Sequence, residues 1–302
     1  MNCIFCHEAS DNSKSIEHII PESLGNKEHT LWKGAVCDKC NNYFATKIEK
    51  ELLDQPYFVS VRHRNFIKTK KNHPVPIKIP SPQSKNGFEY VWLDNNEENF
   101  GMIFESDSKI APLIISGQKK HMIIPMLSEP ELNNYILSRF LAKCALEYLA
   151  LRFDIGENTY RNGITNLFKE KQFDDIRKYA RYGEGANFWK FSQRRVYSEG
   201  NWFQDTRENN GQPYEVLHEM DLFVEPTSIK KSKNTIFAEV YFVLVIMGIE
   251  YVINIGGNEI ERYHIWLKNN NFMCPIRRGT EKMLDSSIAD VFPLLIKHKN
   301  DR

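Results

Sequence analysis

The spacing of apolar and polar positions changes several times along the chain, and each change marks an element. From Asn41 onward, Phe44, Ile48 and Leu52 recur at four-residue intervals, which predicts a helix with Asn41 in its first turn. Upstream, Ser15 to Ile20 and Leu31 to Val36 suit two short strands, with Pro21, Gly25 and Asn26 punctuating the loop between them. Residues 59–80 lose this patterning, and Pro74, Pro76, Pro80 and Pro82 then form a stiff boundary. Strand patterns appear in FEYVWL, FGMIFE and HMIIPML, broken by polar turns. The Ser128–Glu131 capping-box pattern opens a predicted helix, and Leu132, Tyr135, Ile136, Phe140, Cys144, Leu149 and Phe153 carry it to about residue 153. A second helix is predicted over 163–182, stopping at Gly183. From 214 come YEVLHEMDLFV, TIFAEVYFVLVIM and IEYVINIGG, the last two as a hairpin turning near Gly248.

This order predicts an α+β protein: a small N-terminal strand–strand–helix unit and a larger mixed α+β domain. The expected division is 1–58, a basic Pro-rich connector at 59–84, and 85–302. A chain of 302 residues with 41% apolar and 12% aromatic content suits two domains and excludes global disorder. The longest apolar run, Val240 to Ile249, lies between Glu239 and Glu250 and is too short to span a bilayer. With Cys3 so near the start, no signal peptide is expected, and the protein reads as cytoplasmic with no membrane partner.

Cysteines change the picture most. Cys3/Cys6 and Cys37/Cys40 are two Cys-x-x-Cys turns, each able to aim both sulfurs at one ion. Together they make a tetrahedral thiolate set suited to structural Zn²⁺, which would staple a module with little core of its own. Residues 1–58 contain 6 basic and 9 acidic residues, a formal charge of −3. That balance suits holding cations better than coating DNA. Glu17-His18 lies between the turns: a histidine of near-neutral pKa is a suitable general base, and an adjacent carboxylate can hold a hard cation such as Mg²⁺. On a strand the two point to opposite faces, so a bend is needed for both to serve one site.

The order CxxC, EHIIP, CxxCN resembles the zinc-stapled branch of the HNH nuclease family. The resemblance implies a ββα-metal finger with His18 as the base that activates water. It implies Glu17 and Asn41 as ligands of a catalytic Mg²⁺ or Mn²⁺, with Cys3, Cys6, Cys37 and Cys40 on structural zinc. It also implies an endonuclease that hydrolyses DNA phosphodiester bonds. The family's middle Asn has no counterpart in Thr30 to Gly34, so a backbone carbonyl there or Asn26 is the candidate for orienting His18. For Asn42 and Glu49, helix capping and surface charge are the favoured readings.

Residues 59–80 hold Arg62, Arg64, Lys68, Lys70 and Lys71 with no acid, which reads as a phosphate-gripping strap or a solvated linker. In an extended strand Arg62 and Arg64 would share a face. A second basic stretch, 177–195, includes Tyr179, Tyr182 and Trp189 and reads first as an ordinary charged helix face. The larger domain is expected to give target recognition or control, an arrangement seen in restriction and anti-phage defence proteins. Three alternatives stay open: a C-terminal sensor of a small nucleotide that activates the nuclease, a non-catalytic zinc finger that binds nucleic acid, and RNA in place of DNA. A homodimer is likewise left open.

Overall fold

The computed structural model describes residues 1–26, 28–96, 99–119, 121, 127, 129–153, 168–196, 218–230 and 235–277. The predicted strand HMIIPML, the Ser128 cap, and the starts of the 163–182 helix and the 214 strand lie wholly or mostly outside these residues. In the N-terminal module the two expected strands shrink to one short antiparallel contact. His18 bridges Thr30, the Ile19 N–H donates to the His29 carbonyl at 3.0 Å, and the Leu31 N–H donates to the Glu17 carbonyl at 2.9 Å. The return does not run on to Val36. Gly34 has φ +86°, a conformation that breaks a strand, and its carbonyl accepts the Ser10 hydroxyl at 2.6 Å.

Helix α1 (Asp38–Phe44) continues through a π-turn (Ala45–Glu49) into α2 (Lys50–Leu53). Phe44, Ile48 and Leu52 all face the core, as their spacing requires. Pro56 then sits at the first turn of α3 (Pro56–Arg64), where its missing N–H costs nothing. The segment carrying Arg62 and Arg64 is therefore helical rather than extended. Burial of Tyr57, Phe58 and Val61 drives this.

A three-stranded antiparallel sheet follows, β1 (Ile77–Pro80), β2 (Phe88–Asn96) and β3 (Asn99–Phe104), packed on α4 (Ile110–Ile115) through Ile77, Ile79, Val91 and Ile110. Strand β1 falls within the stretch read as a connector. Glu89 ties the sheet to α4: its carboxylate accepts the Ser81 and Ser108 hydroxyls and the Lys109 N–H at 3.1 Å.

The central element is α5 (Tyr135–Phe153). Its cap is Asn134, whose side-chain oxygen accepts the Leu137 N–H at 3.0 Å. Leu132, expected in the apolar set, is 71% exposed, and Phe153 is 45% exposed. Between them every side chain from Leu137 to Ala150 is buried, polar ones included. A helix covered all round must be apolar or must satisfy its polar groups internally. Here Ser138 donates to the Trp189 carbonyl at 2.6 Å, and Arg139 donates to the Tyr179 and Ala180 carbonyls at 3.2 and 2.9 Å. Alongside runs α6 (Lys171–Tyr182).

The second sheet is antiparallel in the order β4-β7-β6-β5: β4 (Phe191–Arg195), β5 (His218–Lys230), β6 (Thr235–Ile246) and β7 (Ile249–Asn254). Met247 and Gly248, at φ 50° and 78°, form the two-residue turn of the predicted β6–β7 hairpin. Phe242, Leu244 and Ile246 face α5, while Tyr241, Val243 and Val245 face α7 (Glu261–Asn269). Cover on both faces explains why this strand reads as a continuous apolar run rather than an alternation. No helix among the described residues is long and apolar enough to cross a membrane.

One core cluster runs from Cys3, Ile4 and Phe5 through α1, α5 and α6 to β6 and β7, so the N-terminal module and the larger region share a hydrophobic interior. Gly183 closes α6 at φ 72°, and a Cβ there would lie 2.6 Å from the Tyr135 hydroxyl. Gly183→Ala is expected to lower stability by roughly 1–2 kcal/mol, the cost of a left-handed alanine. A denaturant midpoint equal to wild type would remove this cap from the structural argument.

Candidate active site and metal centre

The four cysteines converge. All four sulfurs lie within 4.8 Å of one another, and Cys6 Sγ is 3.6 Å from Cys37 Sγ. A tetrahedron with metal–sulfur bonds of about 2.3 Å has edges of about 3.8 Å, so the set fits zinc. Cys37 precedes α1 and Cys40 lies in its first turn, where the helix dipole favours thiolates. The Cys37 N–H points at Cys3 Sγ at 3.3 Å, and Arg181 Nε at Cys40 Sγ at 3.2 Å. The Cys40 thiol holds Cys3 down to about 5, while that contact and burial push Cys40 up. Four thiolates packed this closely require a cation. Among the described residues this is the one such cluster of His, Cys, Asp and Glu.

Arg177 and Arg181, read from sequence as a charged helix face, turn inward instead. Arg177 donates to the Phe5 carbonyl beside the first Cys turn, and Arg181 stacks 3.8 Å from the Tyr43 ring centroid. Both hold the zinc module against α6. Outer partners of this kind orient ligands and commonly set metal affinity.

Glu17 and His18 face opposite ways, as strand geometry requires. Glu17 is 5% exposed and points at α5, where its Oε1 lies 2.7 Å from Lys143 Nζ. Lys143 is fully buried and also meets Glu49 Oε1 at 2.9 Å and Glu147 Oε2 at 3.1 Å. Its ammonium further donates to the His18 and Ile19 carbonyls at 2.9 and 3.3 Å. Burial would lower the Lys143 pKa, but the three carboxylates outweigh it and hold it well above its ordinary value. Burial raises both Glu17 and Glu147, opposed in each by Lys143.

The second Glu17 oxygen, Oε2, is buried with no hydrogen-bond partner among the described residues, and so is His18 Nδ1. His18 Nε2 lies 3.3 Å from Glu22 Oε1. Burial lowers the His18 pKa, opposed by Glu22, so the ring is neutral at neutral pH. Asn41 reaches the same segment, its Nδ2 lying 3.5 Å from the Ile16 carbonyl. A buried carboxylate oxygen without a hydrogen-bond partner is a hard donor of the kind that suits Mg²⁺ or Mn²⁺.

Asn26 does not reach His18. It pins the loop instead, donating to the Ile20 carbonyl at 2.7 Å and accepting the His29 N–H at 3.0 Å. Glu22 occupies the orienting position that the sequence left vacant. Glu49 is buried on Lys143 rather than being a surface charge. Sequence reasoning also misses Lys143 and Glu147. Their one signal is an i, i+4 Lys–Glu pair inside a largely apolar helix.

Among the basic residues of 59–80, Arg62 is 6% exposed. Residues two apart on a helix diverge by about 200°, so Arg62 and half-buried Arg64 do not share a face. Lys68, Lys70 and Lys71 are exposed, and Lys70 lies close enough to oppose, weakly, the rise that burial causes at Glu17 and to add to the lowering that burial causes at His18.

A family model described as HNH endonuclease matches residues 3–57. The match contains all four cysteines, Glu17-His18 and Asn41. No curated protein and no solved structure matches the chain. Cys37→Ala is expected to abolish zinc binding and unfold the module around it. A full zinc equivalent in that variant, read by metal analysis, would refute the four-sulfur site.

Proposed function

We propose that this chain is a metal-dependent endonuclease whose N-terminal HNH module hydrolyses DNA phosphodiester bonds. The observation that carries the reading is His18: one ring nitrogen lies 3.3 Å from a Glu22 carboxylate oxygen, and the other is buried without a hydrogen-bond partner among the described residues. In this reading Nε2 carries the proton that faces Glu22, 3.3 Å away, the lone pair is on Nδ1, and burial favours the neutral ring. Nδ1 then takes the proton of an attacking water. Glu17 Oε2 and the Asn41 side chain would hold Mg²⁺ or Mn²⁺, which when bound supplies positive charge opposite the developing phosphorane and leaving oxygen. Lys68, Lys70 and Lys71 grip the phosphate backbone next to the site, and Arg62 and Arg64 serve the fold of α3.

Residues 85–302 supply target recognition or control in this reading. A small nuclease joined to a larger region also suits restriction or anti-phage defence, by analogy of arrangement alone. The alternative of a non-catalytic zinc finger rests on the absent middle Asn, and Glu22 weakens it.

His18→Ala is expected to cut cleavage of supercoiled plasmid in Mg²⁺ or Mn²⁺ by roughly 10²–10⁴-fold while zinc content stays at the wild-type level. Unchanged turnover would sink the general-base assignment. The wild-type rate should rise with pH as His18 loses its proton. Because the folded pKa lies below the ordinary histidine value, that rise falls at lower pH than an unperturbed histidine would give. Neutralising Lys68, Lys70 and Lys71 should reduce the slope of log affinity against log salt by roughly one unit for each phosphate that is no longer neutralised. An unchanged slope would return the segment to a plain linker.

A further inference from the structure

We propose that Lys143 is a positioning residue for the nuclease site: from α5, outside the HNH match, it aims Glu17 at the catalytic cation and fixes the backbone beneath His18. This rests on the nuclease reading only in taking Glu17 as a cation ligand.

The ammonium has three protons and five oxygen neighbours. Three are the carboxylates of Glu17, Glu49 and Glu147, and two are the His18 and Ile19 carbonyls. Two of the five contacts fall on the proposed site residues, Glu17 and His18. Lys143 takes Oε1 of Glu17 and leaves Oε2 as the buried oxygen without a partner. A carboxylate held by one oxygen has a fixed plane, so the other oxygen has a fixed direction.

The backbone needs such a hold. The pairing of 17–19 with 29–31 is one bridge flanked by two hydrogen bonds, too short to define a position alone. The His18 and Ile19 carbonyls are taken on the α5 side by Lys143, with Cys144 Sγ donating to Ile19 at 3.0 Å. Thus the base is located by α5 as much as by its own hairpin.

Stability does not account for this cage. Three acids surround one base, and an apolar set of the same volume would pack as well or better. The charges make sense if Glu17 must stay ionised and oriented. The Phe44 ring centroid lies 5.9 Å from the ammonium and Glu147 is fully buried beside it, which keeps water out of the cage and its geometry tight.

Lys143→Met alone would strand three buried acids. The test therefore uses Lys143→Met/Glu147→Leu in the full chain, which removes one ammonium and one carboxyl and leaves the formal charge of the cage unchanged. Lys143→Arg is the second variant; its planar head keeps the charge but cannot place a point ammonium on Glu17 Oε1. Mn²⁺ binding is titrated without nucleic acid by electron paramagnetic resonance, and Glu17→Gln identifies the signal that belongs to this site. Zinc content confirms the fold. The expected result is a roughly 10–100-fold loss of Mn²⁺ affinity at that site in each folded variant. Wild-type Mn²⁺ affinity in a folded variant overturns the proposal, whatever the cleavage rate. So does a wild-type protein with no Glu17-dependent Mn²⁺ signal. If Mn²⁺ binding weakens as expected while wild type cuts no nucleic acid, the nuclease reading fails alone.

Discussion

A single buried ammonium holds together parts of the chain that are far apart in sequence. Lys143 lies at the centre of α5, and its acid neighbours come from the Glu17 segment, the π-turn after α1, and α5 itself. Removing its charge would leave carboxylates in a medium that cannot solvate them. The cage is therefore possible only with all three segments in place. That constraint fixes the Glu17 segment and the π-turn after α1 against α5.

The same logic repeats at the metal centre. Arg177 and Arg181 of α6 reach the Phe5 carbonyl and Cys40 Sγ. The α5–α6 pair thus presents cations to both functional points of a module that is itself acidic. The large region is a platform on which the small module is completed electrostatically as well as by packing. Arg139, which joins Tyr43 to the end of α6, belongs to the same design.

What the sequence makes legible is what depends on neighbours in the chain. Two Cys-x-x-Cys turns, the helix face Phe44–Ile48–Leu52, the Gly183 stop and the turn at Met247-Gly248 are local geometry. The failures share one cause, which is partners distant in sequence. Arg62 and Arg64 read as extended because their lack of pattern hides Tyr57, Phe58 and Val61 burying one side of a helix. The apolar Leu132 and Phe153 lie at the exposed edges of α5, while Asn134 provides the cap. Glu49 reads as surface charge because nothing nearby announces a buried lysine on a helix much further along the chain. The strand pair is shorter than its pattern because a positive φ at Gly34 and burial of Ala35 and Val36 turn the chain away after Leu31. Glu22, which supports His18, is hidden in a loop that offers several better-looking oxygens.

The cage also sets an order of assembly. Translation runs from the N-terminus, so Glu17, His18 and Glu49 leave the ribosome well before Lys143, which follows Glu49 by 94 positions. At ordinary elongation rates that interval is about 5–20 s. During it the zinc turns have their own ligands, but the carboxylates have no counter-cation and the His18 backbone has no support from α5. The N-terminal module, which emerges first, thus waits, unfinished, for a helix made later. A nascent chain released early would carry the recognisable motif without the site it needs.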